Sequence, residues 1–160
     1  MKHRTLLNLT LSALLVAATC ANSAQAETVM ETILHTPSLT TVAKLIQDAG
    51  LADSLRGAGP VTVFAPSNEA FGAIPAAKLA ELAGNKEMLQ AVLNFHVVLA
   101  NLTVDFVNSG PQKTVEGDNI SVYKAGTFLT VDSAVVTQPD LKASNGVVQV
   151  IDTVLMPPKK

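Results

Sequence analysis

The sequence predicts an α+β domain with a mainly antiparallel sheet, and three observations lead to this prediction. In most of the first half, apolar residues recur at spacings of three and four, which is the period of an amphipathic helix. From Thr114 onward, short β-branched segments alternate with turn residues. No internal repeat or linker divides the chain. Helices followed by strands within one unit are typical of the α+β class.

The first 26 residues are ordered as in a secretory signal peptide. Lys2 and Arg4 precede an apolar run, and Ala24-Gln25-Ala26 supplies small residues where a signal peptidase cleaves. A retained membrane anchor is the alternative, because residues 5–26 carry no charge and are long enough to span a bilayer. Polar residues dilute that run, however, and no charged cluster follows it. We therefore expect residues 1–26 to be removed, leaving a secreted or periplasmic protein without membrane insertion.

The remaining domain, residues 27–160, is expected to contain no cysteine, because Cys20 lies in the leader. Lipidation of Cys20 is a weak alternative, since Thr19 stands where Gly, Ala or Ser normally precedes a lipidated cysteine. Two of the 11 basic side chains also lie in the leader, which leaves nine against 13 acidic ones. A mildly acidic domain argues against an electrostatic nucleic-acid binder.

Helical signals occupy residues 28–55 and return after a short strand. Leu39, Val42 and Ile46 share one helix face, which Gly50 ends. The breaker Gly57-Ala58-Gly59-Pro60 separates this stretch from a β-branched run. In chain order the expected elements are a helix over 38–50, an apolar turn over 51–55 and a strand over 61–65. A short helix capped by Ser67 or Asn68 follows and ends near Phe71, and a helix over 76–83 starts behind Pro75 and stops at Gly84. The last helix is capped by Asn85 and has Met88 and Val92 on the same face as His96.

The strands that follow are short and separated by turn signals. They are expected over residues 120–124, 127–131, 134–137, 141–144 and 147–155, with a break at Gln138-Pro139-Asp140. Asn145-Gly146 between the last two suits a type I′ hairpin, because both residues tolerate positive φ. The simplest role of this loop is to turn the chain. The alternative is an exposed loop on which Lys142, Ser144 and Asn145 contact a partner.

Three blocks resemble the fasciclin domain and occur in the family's order. They are Thr62-Val-Phe-Ala-Pro-Ser-Asn-Glu-Ala-Phe71, Asn94-Phe95-His96-Val97-Val98, and residues 143–155 with Met156-Pro157 behind them. The resemblance implies a wedge-shaped β-sandwich flanked by N-terminal and central helices. It also implies adhesion to a cell surface, matrix protein or polysaccharide, with no enzyme activity and no cofactor.

Two departures from the family pattern weaken the transfer of receptor-specific roles. Phe95 replaces the tyrosine of the family's tyrosine–histidine pair, which animal members are thought to use in integrin contacts, and Gln149 stands where many members have a histidine. The candidate binding residues are Phe95 and His96, carried over from that pair, and Asn145 on the predicted hairpin. For His96 itself we predict a structural role, in which a neutral, buried imidazole is hydrogen-bonded to backbone or a polar side chain, and contact with a ligand or receptor is the alternative.

No motif assembles catalytic or metal chemistry. Ser67 and His96 with an aspartate would be needed for a hydrolytic triad, but no nucleophile elbow surrounds the serine. Metal-ligand and phosphate-loop spacings are absent from the sequence. Asn101 and Asn119 begin glycosylation triplets, which matter only in a eukaryotic secretory pathway. A second hypothesis comes from soluble algal relatives that bind carotenoids, which would require an apolar cleft in this domain.

Overall fold

The computed structural model describes residues 26–57 and 59–158. Residues 1–25 of the expected leader, including Cys20, lie outside the described residues, so its cleavage stays a prediction. The helices are α1 (Val29–His35), a 3₁₀ turn (Pro37–Leu39), α2 (Thr40–Ala49), α3 (Ala52–Arg56), α4 (Asn68–Gly72), α5 (Ala76–Gly84) and α6 (Lys86–Phe95). None of these helices is long and apolar enough to cross a membrane.

Local capping explains where several helices begin and end. Thr28 and Glu31 form a capping box at α1, in which each side chain accepts from the other residue's backbone N–H. Gly50 ends α2 in the left-handed conformation, with φ of 74°. Ser67 Oγ accepts from the Ala70 N–H at the start of α4, and Asn85 Oδ1 accepts from the Met88 N–H at the start of α6. The predicted boundaries at Gly50, Ser67 and Asn85 are confirmed.

Seven strands form one hydrogen-bonded series in the order β2-β1-β7-β6-β5-β4-β3. Among the strands of the described residues, only β1 and β7 pair in parallel, so the prediction of a mainly antiparallel sheet is confirmed. The strands are β1 (Val61–Pro66), β2 (Val97–Val98), β3 (Gly110–Lys113), β4 (Asn119–Ala125), β5 (Phe128–Val131), β6 (Ala134–Ala143) and β7 (Gly146–Ile151).

The predicted break at residues 138–140 is wrong, because β6 continues through it. Two register shifts, between Val136 and Gln138 and between Gln138 and Leu141, absorb the irregularity, and Asp140 takes a positive φ of 56°. Pairing with β5 ends at Val135. At Pro139, β6 therefore pairs with β7 on one side and with no strand on the other. On that other side, the missing N–H of the proline leaves no strand without its hydrogen-bond partner.

The predicted type I′ turn at Asn145-Gly146 is also wrong. The turn residues are Ser144 and Asn145, while Gly146 already pairs with Ala143 as the first residue of β7. Neither Asn145 nor Gly146 has a positive φ. Glycine is needed at 146 for space, since a Cβ there would collide with the Val61 carbonyl oxygen.

Apolar side chains pack on both faces of β1 and β7. The first core lies between the helices and one face, which carries Val63 and Val150. The second core lies on the opposite face, where Phe64 and Ile151 pack with side chains from β4 and β5, including Val122. The two ends of the strand series thus lie on either side of the second core, as expected for the α+β sandwich.

Candidate functional site

The three predicted binding residues lie in two different surroundings. Phe95 and His96, at the end of α6, are 3% and 2% exposed. Asn145 is half-buried at the turn between β6 and β7. Contact of any of the three with a partner stays a prediction, since the structure shows only their contacts within the domain.

His96 is hydrogen-bonded through both ring nitrogens. Nδ1 lies 2.7 Å from the Val92 carbonyl oxygen, and Nε2 lies 3.0 Å from the Leu155 backbone nitrogen. A carbonyl can only accept and an N–H can only donate, so Nδ1 carries the proton and the ring is neutral. Burial lowers the pKa of His96 to about 4, against a smaller upward effect of the Val92 hydrogen bond. The predicted structural role of His96, buried, neutral and hydrogen-bonded, is confirmed.

One detail of that prediction is wrong. Met88, expected on the same buried face as His96, is 37% exposed. Helix α6 ends at Phe95, and His96 is its C-cap. The face of α6 that points into the core instead carries Leu89, Val92 and Leu93.

The arrangement of Ser67 and His96 does not form a catalytic pair. Ser67 Oγ caps α4, and the two nitrogens of His96 are bonded to backbone groups. Hydrolysis by a serine nucleophile requires a hydrogen bond between serine and base. Among residues 26–57 and 59–158, no group of three or more His, Cys, Asp or Glu side chains is placed to hold a metal ion.

Asn145 joins three distant segments through its side-chain amide. Oδ1 accepts from the Val29 N–H (2.8 Å), while Nδ2 donates to the carbonyl oxygens of Leu55 (2.9 Å) and Gly57 (2.8 Å). The amide therefore fixes the start of α1 and the end of α3 against the β6–β7 turn. This role was missed from the sequence, because the partners are far away along the chain.

Beside this turn lies an open groove of about 650 Å³. One wall is the segment 99–109, called the groove loop below, and the other is formed by the β6–β7 turn with Gly59 and Pro60. The volume lies within the range of about 300–1,000 Å³ that is typical of small-ligand sites. The exposed side chains along it include Asn101, Asp105, Phe106, Lys142 and Ser144.

Two buried polar side chains in the sheet hold the groove loop. Thr62 Oγ1 donates to the Ala100 carbonyl oxygen (2.6 Å) and accepts from the Leu102 N–H (2.9 Å). Gln149 Nε2 donates to the Leu102 carbonyl oxygen (2.9 Å). Both residues are fully buried, so these bonds are shielded from water.

Asp140 supplies the third attachment. Its Oδ1 accepts from the Val104 N–H (3.0 Å) and from Gln149 Nε2 (2.8 Å), and its own N–H donates to Gln149 Oε1 (2.9 Å). The irregular part of β6, with its positive φ at Asp140, thus carries the carboxylate to the groove loop. Gln149, noted in the sequence only as a departure from a family pattern, is a structural centre of this network.

A second cavity is smaller and apolar. It has a volume of about 140 Å³, and its lining includes Ile46, Leu93, His96 and the exposed side chain of Leu99. The groove is therefore the larger of these two cavities. Nothing in the sequence had pointed to the groove loop or to Phe106 as part of a site. The one signal in that region, the triplet at Asn101, concerned glycosylation.

The helices and the mainly antiparallel strand series place the protein in the α+β class. Residues 37–157 match the family model described as Fasciclin domain, and the chain belongs to the fasciclin domain family. Fasciclin domains are generally non-catalytic binding modules.

The relatives include proteins named for the cell surface. The chain is 36% identical to Protein sll1483 of Synechocystis over 83% of this chain and 75% of that protein. It is also 36% identical to the cell surface glycolipoprotein MPB83 of Mycobacterium bovis, over 72% of this chain and 51% of the relative. The pig transforming growth factor-beta-induced protein ig-h3 is 36% identical over 82% of this chain, which spans 19% of that protein.

A solved structure shares the fold. The FAS1 domain pair from the insect cell adhesion molecule Fasciclin I superposes with a TM-score of 0.60 at 27% identity, covering 74% of this chain and 45% of that chain. The fold implied by the resemblance is thereby confirmed.

Proposed function

We propose that the protein is a secreted or periplasmic, non-enzymatic interaction module that binds a cell-surface or matrix component through the groove. The observation that carries the proposal is the groove itself. Its loop is held to three strands of the sheet by Thr62, Gln149 and Asp140, while the side chains along its walls are exposed. Rigid support beneath an exposed surface is what a recognition site requires.

Family membership supports the same proposal. One relative is named a cell surface glycolipoprotein, and the solved domain pair comes from a cell adhesion molecule. The signal-peptide pattern supports export. A weak single contact suffices for adhesion, since many copies on one surface bind with high avidity.

The test is attachment of cells of the source organism to one another and to host material. Attachment is compared with the gene intact, with the gene deleted, and with purified protein added back. Added protein is expected to restore attachment, whereas the Phe106→Ala variant is expected to restore little. Phe128→Ala is the matched control, because Phe128 is a similarly exposed phenylalanine on β5 outside the groove. Unchanged attachment on gene deletion would refute the proposal.

The apolar-ligand alternative receives less support from the cavities. The apolar cavity, at about 140 Å³, is smaller than the range of about 300 Å³ and above that is typical of small-ligand sites. Visible absorption of the protein purified from its source distinguishes the two. A tightly bound pigment together with unchanged attachment would favour the ligand carrier.

A further inference from the structure

We propose that the groove binds an uncharged stretch of polysaccharide, with one sugar ring stacked on Phe106. This inference rests on the proposed function and names the class of partner. Four features of the groove support it: an exposed aromatic ring, polar side chains with free hydrogen-bonding groups, a weak negative charge and a fixed backbone.

Phe106 presents its ring to solvent for a local reason. The Thr103 carbonyl oxygen accepts from both the Phe106 N–H (3.1 Å) and the Val107 N–H (2.8 Å), which fixes a tight turn. Val107 is 4% exposed and packs in the second core, whereas Phe106 is 77% exposed. The turn thus holds an apolar ring at the edge of a polar groove. A sugar ring matches such a surface, because the C–H groups on one of its faces pack on an aromatic ring.

The polar side chains of the groove have donors and acceptors that are not used within the described domain. Asn101, Asp105, Lys142 and Ser144 are exposed, and none of their side chains bonds to another residue of the part of the chain that the structure describes. Together they offer an amide, a carboxylate, an ammonium and a hydroxyl. Sugar hydroxyls both donate and accept, so they pair with this mixture of donors and acceptors.

The charge of the groove argues for an uncharged ligand. Asp105 and Asp140 contribute two carboxylates, against the single ammonium of Lys142. The domain expected after leader removal is also acidic, with nine basic against 13 acidic side chains. A negative potential disfavours sulfated or uronic-acid polymers, as it disfavours nucleic acid.

The groove backbone is fixed before any ligand binds. Thr62, Asp140 and Gln149 hold the loop at residues 100, 102 and 104. Little loop ordering is then needed on binding, which favours recognition of a flexible polymer such as a glycan.

The test begins with the purified protein on an array of neutral, sulfated and uronic-acid glycans. Neutral glycans are expected to bind and charged ones to bind less. The best neutral oligosaccharide is then titrated into the protein by NMR. Phe106→Ala is expected to weaken its affinity by about tenfold or more, whereas Phe128→Ala changes it by less than about twofold. Asn101→Ala, which removes no hydrogen bond within the described domain, is expected to weaken it as well.

The inference is wrong if no neutral glycan binds, if affinity increases with sulfation, or if Phe128→Ala weakens binding as much as Phe106→Ala. Periodate oxidation of the target surface separates this inference from the proposed function. Attachment that depends on Phe106 but survives periodate indicates a protein partner. In that case the sugar inference fails and the proposed function stands.

Discussion

Gln149 and Asp140 are joined by a reciprocal pair of hydrogen bonds beneath the groove. Gln149 Oε1 accepts from the Asp140 N–H at 2.9 Å, and Gln149 Nε2 donates to Asp140 Oδ1 at 2.8 Å. The same Nε2 donates to the Leu102 carbonyl oxygen. One buried amide thereby connects β7, the irregular part of β6 and the groove loop.

Replacing Gln149 with leucine is expected to destabilise the domain. The change leaves the Asp140 N–H and the Leu102 carbonyl oxygen without their partner, at a cost of about 2–3 kcal/mol in the free energy of unfolding. Urea denaturation measures the loss. Gln138→Leu on the exposed face of β6 is the control and is expected to change stability little. Equal effects of the two substitutions would contradict the role assigned to Gln149.

The buried imidazole of His96 is expected to make stability fall in mild acid. The pKa of His96 is about 4 in the folded protein and 6.5 in the unfolded reference, so the unfolded state binds more protons between these values. The free energy of unfolding therefore decreases as the pH falls from 6.5 to about 4, by about 3 kcal/mol in total.

His96→Gln is expected to lower stability at pH 7 and to remove this part of the pH dependence. Thermal unfolding across the same pH range measures both effects, relative to the unmodified protein. His35→Gln is the control, because that imidazole is exposed. If the His96→Gln variant keeps the full pH dependence, His96 is not the source of that dependence.

Gly146 and Gly126 are glycines for different reasons, the first because a side chain has no space there and the second because its φ is positive. Gly146→Ala is expected to cost about 3 kcal/mol, since the new Cβ would meet the Val61 backbone and the β1–β7 pairing would have to shift. Gly126→Ala is expected to cost about 1 kcal/mol, because Gly126 has a φ of 63° but open space around it. Chemical denaturation of both variants checks the order. A smaller loss for Gly146→Ala would mean that the backbone there yields easily.

Thr103→Val is expected to stabilise the domain. The Thr103 hydroxyl is buried and has no hydrogen-bond partner among the described residues. Valine has nearly the same shape and removes that unpaired group, which favours the folded state by about 1 kcal/mol. Differential scanning calorimetry should show a higher melting temperature. A lower one would indicate that the hydroxyl is satisfied in solution.

The exported protein is expected to begin at Glu27 and to contain no cysteine. The reason is the cleavage pattern at Ala24-Gln25-Ala26. Intact mass spectrometry of the protein from its source gives the N-terminus, and its melting temperature should not change with reductant. A mass that retains the leader, or a lipid on Cys20, would contradict this prediction.

The sequence by itself determined helices α2, α4, α5 and α6, the class of fold and the family, whereas α3 was expected only as an apolar turn. Caps such as Asn85 and the stop at Gly50 act within one helical turn, and periodicity reports which face is apolar, so both are readable along the chain. The burial and neutrality of His96 followed from its apolar neighbours in sequence, although its place as the C-cap did not.

Only the tertiary structure decided the continuity of β6, the role of Asn145 and the groove. Each depends on partners that are distant in sequence. Asn145 accepts from Val29, 116 positions away, and Gln149 donates to Leu102, 47 positions away. Local propensity predicted a type I′ turn at Asn145-Gly146 and a break at Pro139, but the burial of hydrogen-bonding groups against other elements outweighs such preferences. Phe106 carries no pattern in sequence, because its exposure follows from the packing of Val107 beside it.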